Sequence, residues 1–258
     1  MKRRIWLTGA SSGMGLALAE ELLNAGHRVA LTARNVQPLE ALDQRFPRQV
    51  LLAPGDISEP NDVTAIGERI GQVWGAVDTV ILNAGTCEYI DASRFDARTV
   101  ERVVKTNLIA TSYCIQEALI LLRLSEAPHL VGVASSLALL PLARSEAYGA
   151  SKAGLRYLLQ SLRIDLAREG IDVTIISPGV IDTQHTQTSH FPMSMRWSAP
   201  KAARYIASRL VKKRRPLEIA FPLPLVLTLK LLALLPERVQ LTLGKRMMRD
   251  ADEGERAS

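Results

Sequence analysis

Tyr148 stands four residues before Lys152 in the run Tyr148, Gly149, Ala150, Ser151, Lys152. Four residues is little more than one helical turn, so a helix here presents the phenol and the ammonium on one face, where both can reach a single reacting atom. An ammonium beside a phenol favours the phenolate and draws its pKa below the ordinary value of ~10, which suits a group that exchanges a proton near neutral pH. A surface helix carries such a pair just as readily for solubility, so the pair gains meaning only from what accompanies it.

Its companion lies far upstream, in Thr8, Gly9, Ala10, Ser11, Ser12, Gly13, Met14, Gly15. An apolar run from Arg4 to Leu7 leads into this glycine cluster, and the helical pattern Leu16, Ala19, Leu22, Leu23 leads out of it. Glycines let the backbone turn tightly and let a pyrophosphate approach the helix start, where free amides and the helix dipole favour an anion. A lone glycine cluster is weak evidence; between a strand and a helix it points to a dinucleotide.

Around these motifs, short apolar runs alternate with longer helical patterns, the rhythm of strands and crossover helices in a parallel sheet. The strands are expected at Arg4 to Leu7, Arg28 to Thr32, Gln49 to Ala53, Thr79 to Leu82, Leu130 to Ala134, Asp172 to Ile176 and Leu217 to Ala220. The fold class is therefore α/β, a doubly wound parallel sheet of about seven strands with helices on both faces. With 258 residues, 47% of them hydrophobic and 22% charged, the chain suits one domain over 1–258 with a large core. The polar end, Asp250 to Ser258, is expected to fray.

Other chemistries find little support. Cys87 and Cys114 fit a reduced compartment and lack metal-ligand spacing, and His27, His129, His185 and His190 form no paired motif, so no metal is expected. Met1, Lys2, Arg3, Arg4 imitate the start of a secretory signal, but only Ile5, Trp6 and Leu7 follow before Thr8 and Gly9, so these residues open a strand. A net charge of +6 with 5% aromatics and scattered basic residues does not make a nucleic-acid module.

In its ordered motifs the chain resembles the short-chain dehydrogenase/reductase family from Arg4 to about Thr183. The cofactor turn from Thr8 to Gly15 is followed by Asp56 and Ile57, by Asn83, Ala84 and Gly85, by Asn107, by Ser135 and Ser136, by Tyr148 and Lys152, and by Pro178, Gly179 and Thr183. The resemblance implies a Rossmann-type sheet and an NAD(P)(H)-dependent oxidoreductase. It implies that Gly9, Ser11, Ser12, Gly13, Met14 and Gly15 hold the pyrophosphate, and that Asp56 and Ile57 border the adenine. Asn83, Ala84 and Gly85 then lie under the adenosine ribose, while Pro178, Gly179, Ile181 and Thr183 lie at the nicotinamide, with Ile181 and Thr183 on its amide. An acidic residue after the second strand would bind the ribose of NAD; here Ala33 and Arg34 stand there, and a guanidinium suits the extra phosphate of NADP(H), leaving NAD(H) as the second choice.

The implied reaction is hydride transfer between nicotinamide and a carbonyl carbon. Tyr148 gives or takes the proton, Lys152 lowers its pKa and holds the nicotinamide ribose, Ser136 bonds the substrate oxygen, and Asn107 holds a water that joins Lys152 to solvent. Two rules compete for the serine. Counting thirteen residues back from Tyr148 selects Ser135, whereas the second of the serine pair is Ser136. Ser136 is preferred, because a deletion in the loop Leu137 to Glu146 is easier to accommodate than a shift of the strand that aims the side chain.

Residues 184–200, with Phe191, Pro192, Met193, Met195 and Trp197, are expected to form a lid over the nicotinamide, and Ser198 with Pro200 to start a helix. The segment 221–249 is an apolar and basic extension. Between Pro224 and Pro236 there is room for eleven helical residues, too few to span a bilayer, which takes ~20. It can cap the cleft, pack at a subunit interface, or lie in a membrane surface with Lys212 to Arg215 and Lys245, Arg246 and Arg249 on the headgroups. Each option sets an apolar wall near the cleft and a lipophilic substrate within it. A cytoplasmic homodimer or homotetramer, peripheral at the membrane, completes these expectations; the competing functions are a non-catalytic NADP(H) sensor and a membrane-surface binding module.

Overall fold

Residues Arg4–Thr8 form β1, and the alternation of its side chains divides the interior in two. Ile5 and Leu7 join one buried cluster and Trp6 the other, whose indole donates to Thr32 Oγ1 at 3.0 Å. The computed structural model describes residues 2–182, 196–212 and 214–256. Within them β1 is the third strand of a seven-stranded parallel sheet with β2 (Arg28–Thr32), β3 (Val50–Leu52), β4 (Thr79–Leu82), β5 (His129–Val133), β6 (Asp172–Pro178) and β9 (Glu218–Phe221). The spatial order is β3-β2-β1-β4-β5-β6-β9. The chain thus winds one way to β3, then returns beside β1, and the order reverses between β1 and β4. At such a switch point a crevice opens beyond the carboxyl ends of the strands.

Helices cover both faces because both faces are apolar. On one, α1 (Gly13–Asn24), α2 (Gln37–Arg45) and α7 (Ala199–Leu210) bury Leu18, Leu22, Leu39, Ala203 and Ile206 against Val29, Leu31, Ile81 and Ile176. On the other, α3 (Pro60–Trp74), α5 (Ala110–Leu122) and α6 (Glu146–Leu166) meet Trp6, Val80, Leu130 and Val173. In α3, Pro60 opens the first turn, Val63, Ile66 and Ile70 fall on one face, and Gly75, at φ 73°, ends the helix in a conformation that other residues avoid. Between α4 (Ala97–Val104) and α5, residues Lys105–Ile109 make a widened π-helical turn.

Two short strands lie outside the expectations. β7 (Ile181–Asp182) and β8 (Trp197–Ser198) pair in parallel, and Trp197 packs against Tyr205 and Phe221 with ring centroids 5.5 and 4.9 Å away. The end of the expected lid therefore belongs to the body: 196–198 lead into and form β8, while Ala199 and Pro200 open α7. Residues 184–195 of that lid lie outside the described residues.

After β9 come α8 (Leu223–Ala233) and α9 (Glu237–Arg256). Pro224 falls in the first turn of α8, where a missing amide costs no hydrogen bond, so the helix starts earlier than the proline spacing suggested. The basic run at 212–215 precedes β9 and α8 follows it, so the two stand at opposite ends of that strand. Arg215 is turned inward, donating to the carbonyls of Ala127 and Pro128 and pairing with Asp172 at 3.1 Å, which fixes the starts of β5 and β6. Lys213 lies outside the described residues.

Candidate active site

The glycine turn is held open by close packing. Gly9 and Gly13 take φ of 67° and 52°, and a Cβ on Gly9 would come within 2.7 Å of Ala84 Cα. A Cβ on Gly15 would fall 2.0 Å from the Gly9 carbonyl oxygen. Asn83, at the end of β4, donates its side-chain amide to the carbonyls of Thr8 and Gly9 at 3.1 Å, and the Thr8 hydroxyl accepts from the amides of Asn83 and Ala84. Asn83 and Ala84 are thus laced to the turn that precedes α1. No acidic residue stands in the first turn of α1, and the Ser12 side chain does not cap it, so this helix start keeps its preference for an anion. The absent side chains leave a cradle of the kind a pyrophosphate requires.

At the adenosine end, Arg34 follows β2, exposed, with its guanidinium 3.7 Å from Asp56 Oδ2. Asp56 is itself fixed by turns: its Oδ1 accepts from the amide of Ser58, and its own amide donates to Asp62. Ile57 differs from Asp56 in being packed into the core, and Ile181 likewise packs with the α1 and α7 residues. Pro178 ends β6, and Gly179 lies under Pro222 and Leu225, where a Cβ would meet their side chains within 2.9 Å. Thr183 lies outside the described residues.

On the far side α6 carries the candidate pair. Tyr148 occupies its first turn and Lys152 the next, with the ammonium 5.9 Å from the phenol ring centroid. Lys152 is 4% exposed and donates to the Val133 carbonyl at 2.8 Å. Burial lowers its pKa from 10.5 to about 8. The phenol moves the other way: its enclosure raises its pKa, opposed by a hydrogen bond with Ser135. Burial, opposed by the bond with Ser135, sets the direction in which the phenol is shifted.

The contact made by the serine pair differs from the one expected of Ser136. Ser135, extended beyond the end of β5, is the one bonded to Tyr148, and its Oγ also accepts from the Leu137 amide at 3.1 Å. Ser136 opens the following 3-10 turn and is buried at 1% exposure.

Asn107 lies in the π-helical turn, fully buried. Its amide donates to the Thr86 carbonyl and the Ser151 hydroxyl, each at 2.9 Å, and its Oδ1 accepts from the Thr86 amide. Its backbone carbonyl accepts from Thr111 Oγ1 at 3.0 Å. These bonds brace the loop after β4 against α6. Thr86 and Ser151, missed in the sequence, are the partners; Ser151 directly precedes Lys152, which was the available signal. Gly85 must lack a side chain here too, since a Cβ would lie 3.0 Å from Asn107 Oδ1 and 3.2 Å from Lys152 Nζ. Cys87 and Tyr89 lie close enough to act electrostatically on Tyr148, and burial pushes the Cys87 thiol up.

Comparison with known proteins agrees with this geometry. The family model described as short chain dehydrogenase matches residues 3–192. An uncharacterized oxidoreductase of Myxococcus xanthus is 33% identical over 241 residues, covering 91% of this chain and 93% of its own. Among solved structures, a short-chain dehydrogenase from Streptomyces avermitilis is similar at TM-score 0.83 and 23% identity, over 97% of this chain and 99% of its own. An alcohol dehydrogenase from Thermococcus sibiricus, complexed with 5-hydroxy-NADP, is similar at TM-score 0.77 and 21% identity, over 86% and 96%.

Proposed function

The chain belongs to the short-chain dehydrogenase family, and on that premise we propose that this NAD(P)-dependent oxidoreductase uses NADP(H) to interconvert a lipophilic carbonyl compound and its alcohol. The observation that carries the reaction is the trio on one side of the crevice: Tyr148 bonded to Ser135, with buried Lys152 one turn along α6. The glycine cradle at Gly9 to Gly15 fits a dinucleotide, and Arg34 fits its extra phosphate, for which its exposed pairing with Asp56 is an easy exchange. NADP(H) supplies or accepts the hydride at the carbonyl carbon.

The protein's own residues handle the proton. Ser135 holds the substrate oxygen beside Tyr148, and Tyr148 donates its proton as the C–O bond is reduced, leaving an alcohol and a phenolate; oxidation runs the same steps backward. The raised phenol pKa keeps that proton in place at neutral pH, and the Lys152 charge compensates the phenolate in a site with little water. Asn107 keeps the lysine face of α6 in register with the loop after β4.

Lipophilicity rests on the wall beside the site, where Leu139, Leu140 and Leu142 of the loop before Tyr148 pack with Leu225 and Leu229 of α8. A cytoplasmic homodimer or homotetramer belongs to the same proposal on family resemblance. The test is NADPH consumption with ketones and aldehydes of graded chain length, wild type beside Tyr148→Phe. Turnover that rises with chain length and falls ~10²–10⁴-fold in the variant is expected. Tight NADPH binding with no turnover on any carbonyl would instead support a non-catalytic sensor.

A further inference from the structure

One face of α8 is covered and the other is not. Leu225, Val226 and Leu229 are buried at 8%, 2% and 5% exposure, and Leu225 and Leu229 pack on the wall formed with Leu139, Leu140 and Leu142. Leu223, Leu227, Leu231 and Leu234 recur at spacings of four, four and three, which sets them in one stripe, and they are 56%, 58%, 66% and 82% exposed. The stripe carries no charge; at its border Lys230 is held in an ion pair with Glu218 at 3.0 Å.

Beyond Pro236 the apolar surface continues in Val239 and Leu241, and it is joined there by Arg238, Lys245 and Arg246, all exposed. Among the described residues none of these three cations has an ion-pair partner. Up to residue 246 the only acid of α9 is Glu237; the others, Asp250, Asp252, Glu253 and Glu255, stand in its distal part. An uncharged leucine ridge followed by free cations matches the two layers of an anionic lipid surface, acyl chains below and headgroups above.

A second copy of the chain fits less well. α8 has eleven residues, so at ~1.5 Å per residue it is ~16 Å long, and one face of it offers far less than the ~800 Å² that each partner of a stable complex contributes. The ridge also lacks the aromatic and arginine anchors that concentrate binding energy between proteins. No helix of the described residues is long and apolar enough to cross a membrane, so contact through this ridge is interfacial.

We propose that Leu223, Leu227, Leu231 and Leu234 seat α8 in the surface of an anionic bilayer, with Arg238, Lys245 and Arg246 on the headgroups. Seated this way, the helix holds its opposite face against the loop that runs from Ser135 to α6, so a lipophilic substrate has a short path from lipid to site. That last step rests on the proposed reaction; the docking itself does not.

The test is flotation of the full chain with phosphatidylcholine vesicles and with vesicles that also contain phosphatidylglycerol, without substrate or cofactor. Wild type is expected to bind the anionic vesicles alone. Leu227→Glu with Leu231→Glu should abolish binding with an unchanged thermal transition, since both side chains are exposed. Lys245→Glu with Arg246→Glu should weaken it on the order of tenfold or more. Failure of the wild type to float, equal binding to both vesicle types, or equal binding by the leucine variant would overturn the proposal, whatever the turnover assay gives. So would light scattering that finds a lipid-free assembly dispersed by the leucine variant, since the ridge would then join two copies of this chain.

Discussion

Replacing Lys152 by methionine should make the cofactor-free protein more stable while ending its activity. Methionine preserves most of the buried stem and removes the charge. Burial lowers the lysine from 10.5 to about 8, and at ~1.4 kcal/mol for each tenfold change in proton affinity, holding the ammonium at pH 7 costs about 3 kcal/mol relative to the unfolded chain. The bond to the Val133 carbonyl, 2.8 Å long, is lost in the variant and offsets ~1–2 kcal/mol of that gain. The net is a rise of ~1–2 kcal/mol, or roughly 3–6 °C in a chain of this size, by thermal unfolding followed with circular dichroism. The sign of the pH dependence is fixed. Between pH 8 and 10.5 the folded lysine has released its proton and the unfolded one has not, so wild-type stability climbs through that window and the variant's advantage disappears. A variant less stable than wild type at neutral pH, or a gap that stays constant up to pH 10.5, would refute the claim that Lys152 is held against its hydration.

Two substitutions separate the serines. Ser135→Ala should lower kcat by ~10²-fold or more through loss of the group on the substrate oxygen, and lower stability by ~1 kcal/mol through loss of its cap on the Leu137 amide, whereas Ser136→Ala should keep kcat within a few-fold. The reverse order of losses would restore Ser136. Arg34→Asp should raise KM for NADPH at least ~10-fold and spare or improve NADH, with melting temperature unchanged because the exposed Arg34–Asp56 pair contributes ~0–1 kcal/mol. Equal loss with both cofactors in steady-state kinetics would count against a phosphate role for Arg34.

The sheet was legible because strands buried on both faces must be almost wholly apolar. Thr79–Leu82 and Arg28–Thr32 match their expected bounds, and the others shift by one or two residues at one or both ends, where the last backbone bonds depend on neighbours. Two-residue strands such as Ile181–Asp182 and Trp197–Ser198 are too short to show a period, so their pairing stayed hidden. The π-helical turn at Asn107 has no compositional mark either; what betrays it is a set of partners, Thr86, Ser151 and Thr111, brought together only by folding. The preference for Ser136 rested on motif position for a related reason. Which of two neighbours faces Tyr148 depends on how the chain leaves β5, and the motif spacing constrains this only to within one residue. The basic residues at 212–215, which precede an apolar segment in the chain, are separated from it in space by β9.

Arg156 follows Lys152 by one more turn of α6, so Tyr148, Lys152 and Arg156 form a single row. Its guanidinium bonds Glu218 at 2.6 Å, Glu218 also binds Ser177 and Lys230, and these partners hold its carboxyl down to about 2. One carboxylate therefore clamps α6, which bears Tyr148 and Lys152, to α8. The consequence is modularity. A lineage, or an engineer, can rewrite the chain beyond Pro222 to suit a new substrate shape and leave the reacting groups untouched, so long as a cation at position 230 still finds Glu218. Truncation just after β9, or a bulky fusion that prises α8 away, should alter which molecules are accepted before it alters whether a proton can be moved.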